Sequence, residues 1–95
     1  MDKVNFRFKN QNNDEVEYEM TSGLFPITML ESVEVFGIRG KLFVSEPPLV
    51  FEVPDISSSR EKVKSILSTI VRLQVNPRML DEVVEDFIDT EYSIV

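Results

Sequence analysis

Residues 58–90, SSREKVKSILSTIVRLQVNPRMLDEVVEDFIDT, decide how the rest of the chain is read, because their apolar spacing, start signals and charges agree on two short helices folded back on each other. Ser58 stands three residues before Glu61, the spacing of a capping box, in which the hydroxyl accepts from the Glu61 N–H and the carboxylate reaches back to the Ser58 N–H. Behind it Val63, Ile66, Leu67, Ile70, Val71 and Leu73 recur every three or four residues, which lines one side of a helix. The second helix has Asn76 as its cap and Pro77 in the first turn, where a missing N–H costs nothing. Val75 is spaced to staple onto Leu80. Its apolar stripe is Leu80, Val83, Val84, Phe87 and Ile88. Only Leu73, Gln74 and Val75 separate the two patterns, and so short a connection makes the helices antiparallel neighbours. Their charges are each misplaced for the dipole of their own helix: Arg60, Lys62 and Lys64 stand near a positive end, Asp86, Asp89 and Glu91 near a negative one. Antiparallel packing brings these sets together, so the reading pairs Asp86 and Asp89 with the three cations.

Upstream of the helices the apolar period changes from 3.6 to 2. Val4, Phe6 and Phe8 alternate with Asn5 and Arg7, and Val16, Tyr18 and Met20 alternate with Glu15, Glu17 and Glu19, with a polar turn from Asn10 to Asp14 between them. This is a hairpin with one buried face and an outer face of Lys3, Arg7 and Lys9 opposite glutamates, pairs that help set the register. Thr21 to Pro26 reads as a connection, and a third extended stretch begins near Thr28. There Met29, Val33 and Val35 fall on one parity and Phe36, Ile38, Leu42 and Val44 on the other, with Gly37 and Gly40 near the switch. Two readings stay open for residues 28–45: one long bent strand, or a hairpin closing at Arg39 and Gly40. After Pro47 and Pro48, Leu49, Phe51 and Val53 form a last short strand. The expected architecture is a single α+β domain over residues 1–95: an antiparallel sheet of about four strands (1–54), a helix hairpin (58–90) packed on one face of it, and a tail (91–95).

The composition excludes much chemistry. The chain of 95 residues has no cysteine and no histidine, so thiolate metal sites, thiol nucleophiles and the usual general base are absent. A net charge of −7 argues against nucleic acid and anionic membrane surfaces as partners. No run approaches a membrane span and the N-terminus lacks the pattern of a secretion signal, which together predict a cytoplasmic protein.

The run Val53-Pro54-Asp55-Ile56-Ser57, a helix, and then Val75-Asn76-Pro77-Arg78-Met79-Leu80-Asp81-Glu82-Val83-Val84-Glu85-Asp86-Phe87 resembles the C-terminal signature of a family of small uncharacterised proteins from low-GC Gram-positive bacteria. The upstream Glu34-Val35-Phe36-Gly37-Ile38 is similar to that family's extended Tyr-Gly-Ile segment, with Phe36 in place of tyrosine. The resemblance implies a bacterial cytosolic origin and supplies no active site.

Several clusters remain as candidate sites. On the second helix Glu82, Asp86 and Asp89, and Asp81 and Glu85, crowd two adjoining faces with carboxylates. Hard cations take such ligands, but the glycine-bearing calcium loop and the Glu-x-x-His pair are both missing, so a solvated face is expected and no metal or other cofactor is assigned. Asp55 with Ser57, Ser58 and Ser59 places an acid and hydroxyls at a helix start, which capping explains without catalysis. The basic strip Arg60, Lys62, Lys64 and Arg72 is offset by the acids that follow. Ser93-Ile94-Val95 has the form of a peptide that adds to a carboxylate-binding domain as a strand.

The expectation is therefore a non-enzymatic module that binds another protein, with Asp81, Glu82 and Glu85 as its contact surface because they are not assigned to cross-helix pairs. Two alternatives accompany it: a homodimer formed through an apolar sheet face or edge involving Phe25, Phe43 and Phe51, and a small-ligand binder or enzyme with an acidic site.

Overall fold

The computed structural model describes the backbone of residues 4–92 and the side chains of residues 4–88. Four strands, β1 (Asn5–Lys9), β2 (Glu15–Pro26), β3 (Ser32–Phe43) and β4 (Leu49–Ser57), precede helix α1 (Arg60–Arg72), a 3-10 turn (Pro77–Met79) and helix α2 (Leu80–Tyr92). The sheet is antiparallel and open, with strands in sequence order. The chain is thus an α+β protein.

Register divides the sheet into two chemically different faces. Phe6 pairs with Tyr18, Tyr18 with Gly40 and Gly40 with Phe51, so even-numbered residues of β1–β3 and odd-numbered residues of β4 share one side. That side is apolar, and Val16, Tyr18, Ile38 and Leu42 form one buried cluster with Val63, Ile66, Leu67 and Ile70 of α1 and Leu80 and Val84 of α2. The aromatic rings of Phe8 and Tyr18 stack within it at 6.2 Å. Tyr18 is fully buried, and its hydroxyl donates to the Val75 carbonyl at 2.6 Å, tying the helix connection to the second strand.

The opposite face is a ladder of charge. Arg7 pairs with Glu15 at 3.1 Å and lies 3.9 Å from Glu17, which also faces Lys41 at 3.7 Å. One row along, Arg39 sits between Glu19 at 2.9 Å and Glu52 at 2.8 Å. The hydrogen bonds that it donates to Glu52 and then Glu19 hold its guanidinium still more firmly protonated than usual. Each such pair is worth roughly 0.2–1 kcal/mol at a solvated site, so their main effect is to specify register. Arg7 also lies over the Phe43 ring, 4.7 Å from its centroid.

Glycine is required at two positions for space. A Cβ on Gly40 would lie 2.7 Å from the Tyr18 ring and 3.2 Å from Pro77, so the flat backbone there admits both. On the other face, a Cβ on Gly37 would lie 2.5 Å from the Val53 carbonyl oxygen and 2.7 Å from the Pro54 Cα. The cause is a bulge in β4: Ile38 pairs with Val53, but Phe36 pairs with Ser57, and Asp55 takes a left-handed φ of 58° in the extra length.

Several boundaries differ from the sequence reading. Residues 28–45 are not a hairpin: β3 runs unbroken through Gly37 and Gly40, and the irregularity lies in its partner. Thr21 to Pro26 is not a connection but the second half of β2, and β3 starts at Ser32 rather than Thr28. The last strand continues past Val53 to Ser57. Helix α1 is capped by Ser59, which accepts from Lys62 N, instead of by Ser58. Glu61 thereby moves out of the capping-box position, and Leu73 becomes the exposed C-cap. Asn76 caps the 3-10 turn that leads into α2, accepting from Arg78 N at 3.0 Å. After Leu73, Gln74 adopts a left-handed φ of 52° and the two bonds of a Schellman motif form, Gln74 N to Val71 O and Val75 N to Ile70 O.

Candidate functional site

Beyond Ser22 and Phe36 the β2–β3 ribbon leaves the rest of the sheet. β1 ends its pairing at Glu19, with Val4 accepting from Met20 N, and β4 makes its last pair at Phe36. From Gly23–Val35 through Leu24–Glu34 and Phe25–Val33 to Pro26–Ser32, each strand has only the other as partner among the described residues. Two paired strands of 12 residues span about 40 Å at the usual rise. That length accounts for most of the 46 Å long axis of the molecule. The tip is held by Thr28, whose hydroxyl accepts from the N–H groups of Leu30 and Glu31, while Glu31 O accepts from Ile27 N and Thr28 N. This is a hydrogen-bonded turn, built from the local hydroxyl bonding that threonine offers a loop.

The chemistry of this arm is what sets it apart. Leu24 is 73% exposed, Phe25 50% and Ile27 62%, and Met29 and Leu30 are almost entirely in solvent. Five large apolar side chains are exposed within seven residues, and such a concentration on a small protein marks a contact surface. The arm's only charges are Glu31 and Glu34, and no lysine or arginine occurs anywhere from Asn10 to Ile38. Register separates its two sides: Leu24 and Glu34 lie on the side continuous with the apolar core, Phe25 and Val33 on the side continuous with the charge ladder.

At the base of the arm, on the ladder side, lies a shallow open depression of about 220 Å³. Gly23, Val35, Gly37 and Pro54 contribute to its lining, and Arg39 and Glu52 bound it with charge. It arises because the β4 bulge rises over Gly37 while Gly23, with nothing within 4 Å of a would-be Cβ, leaves the neighbouring backbone bare.

The acids singled out from the sequence occupy a different surface. Asp81, Glu82 and Glu85 are all exposed on α2, and none has an ion-pair partner among the described residues. Asp81 and Glu82 lie in the first turn, where the helix dipole favours them. They do not converge with a further acid into a cluster able to hold a metal ion, among the described residues. The expected pairing of Asp86 with α1 is absent for Arg60 and Lys64: Arg60 instead lies 3.9 Å from its neighbour Glu61. The side chain of Asp89, the other acid expected to pair, lies outside the described residues. Phe43 packs under Arg7 and Phe51 against the core, so of the three phenylalanines expected at a dimer contact only Phe25 stands in the exposed patch. The hydroxyls beside Asp55 are used locally, Ser57 accepting from Ser59 N and Ser59 capping α1. Ser93-Ile94-Val95 lies outside the described residues.

The arm escaped the sequence reading because Leu24-Phe25-Pro26-Ile27-Thr28-Met29-Leu30 neither alternates nor follows a helical period. Its signal was of another kind: a run this apolar does not belong in an ordinary solvated loop.

No helix of the described chain is long and apolar enough to cross a membrane. A family profile described as a family of unknown function (DUF6514) matches residues 1–90. No curated protein and no solved structure matches the chain.

Proposed function

The chain belongs to the DUF6514 family, whose function is unknown, and from that premise we propose that it is a non-enzymatic protein-interaction module of the bacterial cytosol whose contact element is the β2–β3 arm. The observation that carries this reading is the exposed apolar tip, Leu24, Phe25, Ile27, Met29 and Leu30, in a hydrogen-bonded turn at the end of a paired ribbon. Leaving that surface in water costs about 25 cal/mol for each Å² that a partner would cover, so burial against another protein is strongly favoured. In this reading the helix hairpin closes the apolar face of the sheet and serves as the base that aims the arm. The outer side of α2, with Asp81, Glu82 and Glu85, provides a second surface for steering a cationic partner, the role that exposed charge performs best. The absence of cysteine and histidine supports a binding role over a catalytic one. The likeness of residues 53–57 and 75–87 to bacterial cytosolic proteins supports the location.

The test is photo-crosslinking in the native host, with the reactive residue at Met29 and separately at Glu82. An adduct from Met29 that disappears on Leu30→Asp substitution is the expected result. Adducts from neither position, in a chain of unchanged circular dichroism, would count against an interaction module.

A further inference from the structure

We infer that the ladder side of the arm is a self-association surface, on which a second copy of this chain docks by placing its Phe25 in the depression beside Gly23. The inference rests on the interaction reading above and names its partner. A two-fold contact requires that one patch carry both halves of the fit, so that residue i meets j while j meets i. This arm does so within one short stretch. Phe25 projects half exposed on the ladder side, and Gly23, two residues back on the same strand and the same side, opens into a 220 Å³ depression with room for an aromatic ring. Val35 and Gly37 line it from the opposing strand and Pro54 from the bulge, beside a polar rim of Thr21, Ser22, Arg39, Glu52 and Asp55. Two arms crossing antiparallel face to face place each ring over the other's glycine.

Charge points to the same occupant. Gly23, Phe25, Val33 and Val35 carry none and Glu34 lies across the ribbon with Leu24, so the charges that two copies bring to the contact are those lining the depression, Arg39 paired with Glu52, and Asp55. With no cation from Asn10 to Ile38, the arm offers nothing to anionic lipid or nucleic acid. On the ladder side Phe25, Val33 and the lining of the depression present a small surface, below the roughly 800 Å² that each partner gives to a standard interface. A dimer of moderate affinity, dependent on concentration, follows from that size.

Sedimentation equilibrium of the full chain, with thermal unfolding as a control for folding, tests this. The wild type is expected to pass from monomer to dimer with concentration. Phe25→Lys, which removes the inserted ring, and Gly23→Val, which fills the depression, are each expected to weaken the dimer roughly a hundredfold, the effect of a central anchor. Gly23→Val has no neighbour to displace, so it keeps the test valid if Phe25→Lys fails to fold. Leu24→Lys, on the other side of the ribbon, is expected to change the dimer less than about tenfold. A wild type that is monomeric at every concentration overturns the inference, as does a dimer that survives both substitutions or is lost equally to Leu24→Lys. If a monomeric wild type still gives the Met29 adduct with another protein, only the self-association is lost; if the adduct is missing too, the interaction reading falls with it.

Discussion

Tyr18→Phe removes a single oxygen from the centre of the molecule, and the structure fixes what that oxygen does. The side chain is fully buried, and its hydroxyl is bonded at 2.6 Å to the carbonyl of Val75, in the connection between α1 and α2. The phenylalanine variant keeps the ring, its stacking on Phe8 and its fit over Gly40, so the change isolates the hydrogen bond. A lost intramolecular bond costs about 1 kcal/mol, and stranding the partly covered Val75 carbonyl adds to it, giving a total of about 1.5 kcal/mol. For 95 residues the unfolding entropy is about 0.2 kcal/mol/K, so the melting temperature should fall by about 7 °C. The urea midpoint should fall by about 1 M at unchanged slope. The same burial pushes the Tyr18 hydroxyl well above the ordinary tyrosine value of 10.0. The unfolded chain therefore releases this proton first. Stability from Tyr18 is complete below pH 10 and is lost as the pH rises from there toward the folded value, by up to about 1.4 kcal/mol per pH unit. Ultraviolet titration in a Tyr92→Phe background, where Tyr18 is the remaining tyrosine, reads this directly. A folded protein whose Tyr18 ionises near pH 10, or a Tyr18→Phe variant as stable as wild type, would refute the claim that this bond clips the helix connection to the sheet.

The glycines should respond unequally to alanine. Gly37→Ala drives a Cβ into the backbone of Val53 and Pro54 and should cost about 3 kcal/mol, while Gly23→Ala, in open space, should be neutral or gain about 0.5 kcal/mol, both measured by urea unfolding. Gln74→Gly relieves a left-handed residue in the Schellman turn and should raise stability by about 1 kcal/mol; no gain would mean that Gln74 is held there without strain. Arg39→Ala leaves Glu19 and Glu52 facing each other across β3 and should cost about 1 kcal/mol at low salt, falling toward zero in 1 M sodium chloride, a dependence absent if Arg39 acts through packing alone.

Much of this architecture is legible without coordinates because it rests on local rules. The stripe Val63, Ile66, Leu67, Ile70 on α1 and Leu80, Val84 on α2 is buried as its spacing requires. Alternation at Phe6, Phe8, Val16 and Tyr18 likewise reports a strand with one covered face. The α+β class and the charged outer face of the first hairpin follow from period and from opposed charge. Boundaries are another matter: with three serines in a row, the cap falls on Ser59 because β4 runs on to Ser57, a fact set by pairing with Phe36 rather than by any serine.

Sequence alone therefore determined which segments are amphipathic, that they make one sheet and two helices, and that thiol and imidazole chemistry are absent. Only the tertiary structure decided where pairing stops. Strand pairing is non-local, so nothing within Thr21 to Phe36 could reveal that, among the described residues, the far half of the β2–β3 ribbon has no further strand beside it. Gly37 and Gly40 looked like breaks in a strand for the same reason. Each is a glycine because of a neighbour distant in sequence, the β4 bulge for one, Tyr18 and Pro77 for the other. The exposed arm and the depression at its base are products of those long-range fits, and they exist only once the four strands are in register.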